Sequence, residues 1–269
     1  MLLTFDVGNS ETTLGLFQDE TLLAHWRMMT DVPRSADEVG VLLRGLLAGV
    51  EVPVAAVTGV AIASVVRGVA SHLEEACERW LPGARVEIFD AESPLPITLE
   101  VDEPHTVGAD RIINTLVASR RYRRDCIVVD LGTATTFDCI TRDGVFLGGV
   151  IAPGVRTSAE TLFRRTSKLP NIELAPPTRT IGRRTEDCIR AGVMFGAADA
   201  IDGIVRRIIA EWPGAETPMV IGTGGLAELF APLCECLETV DPHLTLHGLR
   251  MAFALSGGKF GADGKGAAF

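Results

Sequence analysis

The stretch Asp6-Val7-Gly8-Asn9-Ser10-Glu11-Thr12 follows an apolar start, and Asp130-Leu131-Gly132-Thr133-Ala134-Thr135-Thr136 follows Cys126-Ile127-Val128-Val129. The difference between 130 and 6 is 124, and the same shift pairs Gly8 with Gly132, Thr12 with Thr136 and Asp19 with Asp143. An Asp-x-Gly turn after a buried strand, written twice, predicts two similar half-domains. Glycine lets a backbone approach phosphates closely with its N–H groups. An Asp at a strand end offers the oxygen ligand that a hard cation takes. One such turn alone reads rather as an ordinary hairpin with an Asx-type turn; two at one shift, each after a buried strand and before a hairpin, favour phosphate chemistry.

Working outward, the period of apolar residues repeats the same order of elements. Strands are expected at Leu2 to Phe5, Thr12 to Phe17 and Thr21 to Trp26. A helix follows at Ala36 to Leu47, with Val39, Leu42, Leu43, Leu46 and Leu47 at helical spacing and Asp31 and Ser35 as candidate caps. A strand at Val57 to Val65, a helix at Val69 to Leu81 and a strand at Arg85 to Phe89 complete a βββαβαβ order. The second half offers strands at Ile127 to Asp130, Thr135 to Thr141 and Val145 to Ile151, with Arg142-Asp143-Gly144 as the hairpin turn. Helices are expected at about 154 to 165 and 186 to 212, a strand at Met219 to Ile221, and a helix at Leu226 to Cys236. Val107 to Ser119 reads as a linking helix. The domains expected are 1–117, 118–256 and a loose Gly- and Ala-rich tail, 257–269. Lys168 to Arg184 carries three prolines and reads as a long loop of a length often functional.

The 269 residues are 47% hydrophobic with a formal charge of -10, so a sizeable core is available and a nucleic-acid backbone is not the expected partner. No run reaches the roughly 20 apolar residues of a membrane span, and the N-terminus reads as a strand and not a signal peptide. A cytoplasmic location is expected. Six cysteines are scattered, with Cys234 and Cys236 forming an isolated C-x-C, which reads as reduced thiols and not as a metal or redox site.

Three further segments carry candidate chemistry. Gly222-Thr223-Gly224-Gly225 joins a strand to a helix, where glycines pack against a flat ring and the helix start offers N–H groups to an anion. It lacks the spacing of a Walker loop or a dinucleotide fingerprint. Gly108-Ala109-Asp110-Arg111 opens an apolar helix with a carboxylate next to a guanidinium. Those two residues are either a cap and a surface cation, or a base for a substrate hydroxyl and a bidentate clamp for a carboxylate. Ile181-Gly182-Arg183-Arg184-Thr185 ends the Pro-rich loop, so Thr185 is either a helix start or a ligand contact.

In combination these segments, with Gly148-Gly149-Val150-Ile151-Ala152-Pro153-Gly154, resemble the type III pantothenate kinase family of the acetate and sugar kinase/Hsp70/actin superfamily. The resemblance runs from about residue 1 to 255. The Asp-x-Gly turns are specific only to the superfamily, while the G-A-D-R and G-G-x-I-x-P-G segments are specific to the family. The resemblance implies two duplicated ribonuclease-H-like (actin-like ATPase) α/β domains with a nucleotide cleft between them. It implies transfer of the γ-phosphoryl of ATP to pantothenate, with Asp110 as general base. Gly108, Ala109, Asp110 and Arg111 would contact pantothenate, and Thr185 would reach substrate from the partner of a homodimer. Asp6, Val7, Gly8, Asn9, Ser10, Glu11, Thr12, Thr13 and Thr133 would contact ATP, alongside Gly222, Gly224 and Gly225 from the glycine turn. Asp6 would serve the Mg²⁺ that accompanies ATP, and Asp130 a monovalent cation, K⁺ or NH₄⁺.

The chain departs from many relatives in two places. Thr98 to Glu103 holds no Tyr before the G-A-D-R segment, and Thr13 stands where a Lys is common. Two other readings compete: a non-catalytic transcriptional accessory protein on the same fold, and a sugar kinase or polyphosphate hydrolase. Asp6, Asp110, Asp130 and Arg111 are all present, which favours catalysis. The G-A-D-R segment speaks against the last reading.

Overall fold

The computed structural model describes residues 1–30 and 34–257. Asp31, a candidate cap, and the tail from 258 on lie outside the described residues. The chain begins β1 (Leu2–Val7), β2 (Glu11–Gln18), β3 (Thr21–Met29), α1 (Ala36–Gly49), β4 (Gly59–Ser64), α2 (Val69–Trp80) and β5 (Arg85–Phe89). This is the βββαβαβ order expected. The five strands form one sheet in the order β3-β2-β1-β4-β5, with β1 central, antiparallel to β2 and parallel to β4.

Then follow β6 (Thr98–Leu99), α3 (Ala109–Tyr122), β7 (Cys126–Leu131), β8 (Ala134–Ile140), β9 (Val145–Pro153), α4 (Val155–Arg165), α5 (Thr185–Glu211), β10 (Met219–Thr223), α6 (Ala227–Phe230), β11 (Thr239–Val240) and α7 (Leu244–Leu255). The second sheet runs β11-β10-β7-β8-β9-β6. Apart from the edge strand β6, this is the first order repeated: β9, β8, β7, β10 and β11 stand for β3, β2, β1, β4 and β5. The duplication is therefore a property of the fold as well as of the sequence. No helix among the described residues is long and apolar enough to cross a membrane.

Strand register refines the repeat. Asp6 lies opposite Thr13, while Asp130 lies opposite Thr136. The first turn holds one more residue than the second, closing with Gly8 N–H on the Glu11 carbonyl at 3.0 Å, against Gly132 N–H on the Ala134 carbonyl at 3.1 Å. Beyond the turn the shift is thus 123, and Thr13, not Thr12, is the counterpart of Thr136. The register breaks between Leu16 and Phe17 and between Cys139 and Ile140 obey that same shift. A β-bulge kept in both copies sets the same bend in both hairpins.

Two compact units share the chain. The first gathers Met1–Ile97, Asp102–Val117 and the chain from Thr245 on; the second gathers Thr98–Val101 and Ala118–Leu244. In the first, Leu3, Phe5, Leu14 and Leu16 of the sheet pack with Val39, Leu43 and Leu47 of α1 and with Leu73 and Cys77 of α2. α7 belongs to this unit: Leu246 lies against Gly15 and Phe253 against Gly59, and the Thr245 hydroxyl donates to Asn114 Oδ1 of α3 at 2.9 Å. In the second, Ile127, Val129 and Phe137 pack with Met194, Ala198, Ile201 and Val205 of α5 and with Phe230.

One expected element is shortened. Leu226 to Cys236 reads as a helix, but α6 ends at Phe230. Pro232 has no N–H for the ladder. The next amides turn elsewhere: Asp202 of α5 accepts the N–H of Glu235 at 3.0 Å and of Cys236 at 2.9 Å.

Candidate active site

In the first unit the candidate residues gather where β1 and β4 end. These two parallel strands run Asp6 beside Ala63 and Val7 beside Ser64. Ligands of open α/β sheets bind at the carboxyl ends of the strands. Asp6 is partly buried there and Val7 is in the core. Gly8, Asn9 and Ser10 form the turn, with Asn9 exposed. Two of the expected nucleotide contacts are engaged within the protein. The Thr12 hydroxyl is buried and pairs with the Thr30 hydroxyl at 2.7 Å, and Glu11 faces Arg27 at 3.9 Å. Thr13, beside them on β2, is partly exposed.

Val65 ties the start of α3 to this strand end. Its N–H donates to the Val7 carbonyl at 3.1 Å. Its Cγ1 would lie 3.2 Å from a Cβ placed on Gly108. Gly108 and Ala109 therefore bring Asp110 to the same end of the sheet as Asp6. Asp110 stands in the first turn of α3, and its Oδ1 accepts the Arg111 N–H at 2.8 Å. Burial raises its carboxyl above the ordinary range, against the lowering pull of that hydrogen bond and of the Arg111 charge. A raised carboxyl beside a cation at a strand end is the setting in which proteins place a general base.

In the second unit β7 and β10 end together, with Asp130 beside Thr223. The glycine turn closes over the carboxylate. Gly224 has φ +86°, and a Cβ there would overlap Asp130 Oδ1. Only glycine serves both the conformation and the approach. The Leu226 N–H donates to the Leu131 carbonyl at 3.4 Å, which holds the turn on β7. Gly132 and Thr133 form the exposed turn after β7. Gly154, at the start of α4, packs so tightly on their carbonyls that a Cβ would overlap them. The Thr157 hydroxyl donates to the Thr133 carbonyl at 2.8 Å. Gly222 lies in β10 and Gly225 in the turn that leads to α6.

Thr185 is the first residue of α5, and Arg184 precedes it without a side-chain cap. Gly182 folds back onto the Cys188 amide. Thr185 is exposed at the rim of a cavity of about 670 Å³ lined by Phe137, Val155, Leu162, Ile189, Gly192 and Gly196. Sequence reasoning did not foresee this cavity, because its walls come from β8, β9, α4 and α5. It also passed over Val65 and Thr157, which carry no motif. Gly154 had a signal, since it ends the Gly148–Gly154 segment. Among the described residues no three His, Cys, Asp or Glu side chains gather as a metal cluster. Burial pushes the Cys77, Cys126 and Cys234 thiols up to about 12, so they stay protonated at neutral pH.

Comparison with known proteins identifies the family. The model of one family, Type III pantothenate kinase, matches residues 2–207. A type III pantothenate kinase of Acidothermus cellulolyticus is 42% identical over 253 residues, which are 94% of this chain and 98% of that protein. One of Anaeromyxobacter dehalogenans is 44% identical over 252 residues, 93% of this chain and 98% of that protein. Among solved structures, component A of the (R)-2-hydroxyglutaryl-CoA dehydratase of Acidaminococcus fermentans superposes with a TM-score of 0.54 at 14% identity, covering 93% of this chain and 95% of that one. The ethanolamine utilization protein EutJ of Carboxydothermus hydrogenoformans gives 0.51 at 19% identity, covering 93% and 88%. Those two likenesses concern the fold alone, the duplicated actin-like ATPase architecture. The family match and the relatives' identity over nearly the whole chain go further: the chain belongs to the type III pantothenate kinase family.

Proposed function

We propose that this chain is a pantothenate kinase, which moves the γ-phosphoryl group of ATP to the primary hydroxyl of pantothenate and yields 4′-phosphopantothenate, the first step of coenzyme A biosynthesis. The observation that carries this reading is the Gly108-Ala109-Asp110-Arg111 helix start, set beside the strand end that holds Asp6. Asp110 takes the proton of the hydroxyl as its oxygen attacks the γ-phosphorus. The bond from that phosphorus to the β-phosphate bridging oxygen breaks, and ADP leaves with the electron pair. Arg111 pairs with the pantothenate carboxylate. Phosphoryl transfer is mostly positioning and charge stabilisation, and the glycine-bearing turns within each unit offer backbone N–H groups suited to phosphate.

The residues present fit the expected cations. Asp130 and Asp6 are each partly buried carboxylates at a strand end, and oxygen donors suit both Mg²⁺ and K⁺. At Asp130 the missing side chain of Gly224 leaves the cradle open. Asp6 would hold the Mg²⁺ that accompanies ATP and Asp130 a K⁺ or NH₄⁺, each supplying positive charge against the phosphates. A homodimer in the cytoplasm completes the reading. In the second unit Ile181 is 83% and Ile151 65% exposed, and Leu162 and Phe163 are also exposed, apolar side chains that a partner subunit would cover.

A coupled assay with pantothenate, ATP, Mg²⁺ and K⁺ tests the proposal. We expect turnover that depends on pantothenate and falls when Na⁺ replaces K⁺. Asp110→Asn should lower turnover by about 10²-fold or more, the scale of a lost general base. Near-wild-type turnover in that variant would remove Asp110 from the role, and equal rates in Na⁺ would remove the cation site at Asp130.

A further inference from the structure

Gly108 presents a conflict that only its missing side chain resolves. A Cβ there would stand 2.5 Å from Asp110 Oδ1 and 3.6 Å from its Cγ. The other close atom is Val65 Cγ1, at 3.2 Å. The Gly108 backbone is not in the left-handed region, so conformation does not demand glycine here. Space does, and the atom that occupies the space is the carboxylate oxygen already held by the Arg111 N–H at 2.8 Å.

We propose that Gly108 is a positioning residue: the void at its Cα seats Asp110 Oδ1 against the Arg111 amide and thereby leaves Oδ2 as the oxygen that takes the substrate proton. This rests on the reading of Asp110 as base and adds to it which oxygen reacts and what holds the other. A carboxylate with both oxygens free rotates about its Cβ–Cγ bond and meets the hydroxyl in many geometries. One pinned oxygen removes that freedom before substrate arrives, which is the preorganisation that catalysis rewards. The amide holding Oδ1 also favours the ionised form, the form a base needs. The charged group acting on Asp110 is Arg111; the strand end packed against Gly108 contributes Val65, which carries no charge.

An alanine at 108 must push Oδ1 off the Arg111 amide, push Val65 aside, or both. Three variants separate these: Gly108→Ala, Val65→Ala and the double variant, with Asp110→Asn alongside. For Gly108→Ala we expect kcat about 10²-fold lower, the scale of a misplacement near 1 Å. Its KM for ATP should be unchanged, and the acid limb of its kcat profile should move to higher pH as the hydrogen bond to the ionised form is lost. Val65→Ala leaves the Gly108 void and the Arg111 amide in place and should keep the wild-type position of the acid limb, while the double variant should keep the shifted limb and the lowered kcat of Gly108→Ala. Recovery of the double variant to wild-type kcat would assign the defect to Val65 and overturn the proposal. So would a wild-type kcat and pH profile in Gly108→Ala. If Asp110→Asn is inactive while Gly108→Ala is normal, the positioning role alone fails. If Asp110→Asn turns over normally, the base reading fails with it.

Discussion

Asp110 is placed where its charge is costly and useful. Its carboxyl is held above the ordinary range, burial being the largest cause. A carboxyl that binds its proton more tightly folded than unfolded opposes folding at any pH where it is ionised in both states. The cost fades as pH falls through the folded-state value towards the unfolded one of about 3.9. Asn carries no charge, and its Oδ1 can accept the same Arg111 N–H. We therefore expect Asp110→Asn to melt at a higher temperature than wild type at neutral pH, with the gap closing as pH falls towards about 4. Scanning calorimetry across that range checks the sign; a lower melting temperature for Asn at neutral pH would mean that the site stabilises the carboxylate. A residue that gains stability when its catalytic group is removed is a known mark of function. The candidate base was legible in the sequence as an Asp-Arg pair at a helix start. Its seat in the Gly108 void was not, because that depends on the rotamer of Asp110.

At the scale of elements, local chemistry settled the start of α1. Ser35 accepts the Glu38 N–H at 3.3 Å while Glu38 Oε2 accepts the Ser35 N–H at 2.8 Å, a reciprocal capping box. The Glu38 carboxyl is lowered below its ordinary range chiefly by that bond from the Ser35 amide. Ser35→Ala should cost about 1 kcal/mol, read as a shift of the denaturant midpoint with an unchanged m-value. A cost near zero would show that tertiary packing holds the end of α1 unaided. Where an element went against its local pattern, a distant side chain decided. The segment after Phe230 has helical spacing, yet Asp202 draws the amides of Glu235 and Cys236 away. Periodicity cannot register a partner more than thirty residues off.

At the scale of the molecule, the two units are not two consecutive lengths of chain. α7 comes last, yet groups with the first unit. It buries Leu244, Leu246, Leu249 and Phe253. Burying one large apolar side chain contributes about 1.5–3 kcal/mol, so losing several rivals a whole domain's stability of about 5–15 kcal/mol. A chain ended after residue 243 should therefore lose protection of the β1 and β4 amides in hydrogen exchange, although every strand of that sheet is still present. Native protection in the truncated chain would show that the first 117 residues close their own core.

The sequence by itself determined the duplication, because an Asp-x-Gly turn between buried strands is a local pattern and can be matched at a constant shift. It determined the family through segments whose chemistry is contiguous, and it indicated Asp6, Asp110 and Asp130 as the acids to examine. Only the tertiary structure decided that the shift slips to 123 past the first turn, since register depends on which residues face each other across a ladder. Only it decided that Gly224 closes on Asp130, that Gly108 makes room for Asp110, and that the last helix belongs to the first unit. Gly224 and Asp130 are far apart in the chain, as are the last helix and the strands that it covers, while the turn register and the Gly108 void depend on hydrogen-bond pairing and on a rotamer; spacing alone encodes none of them.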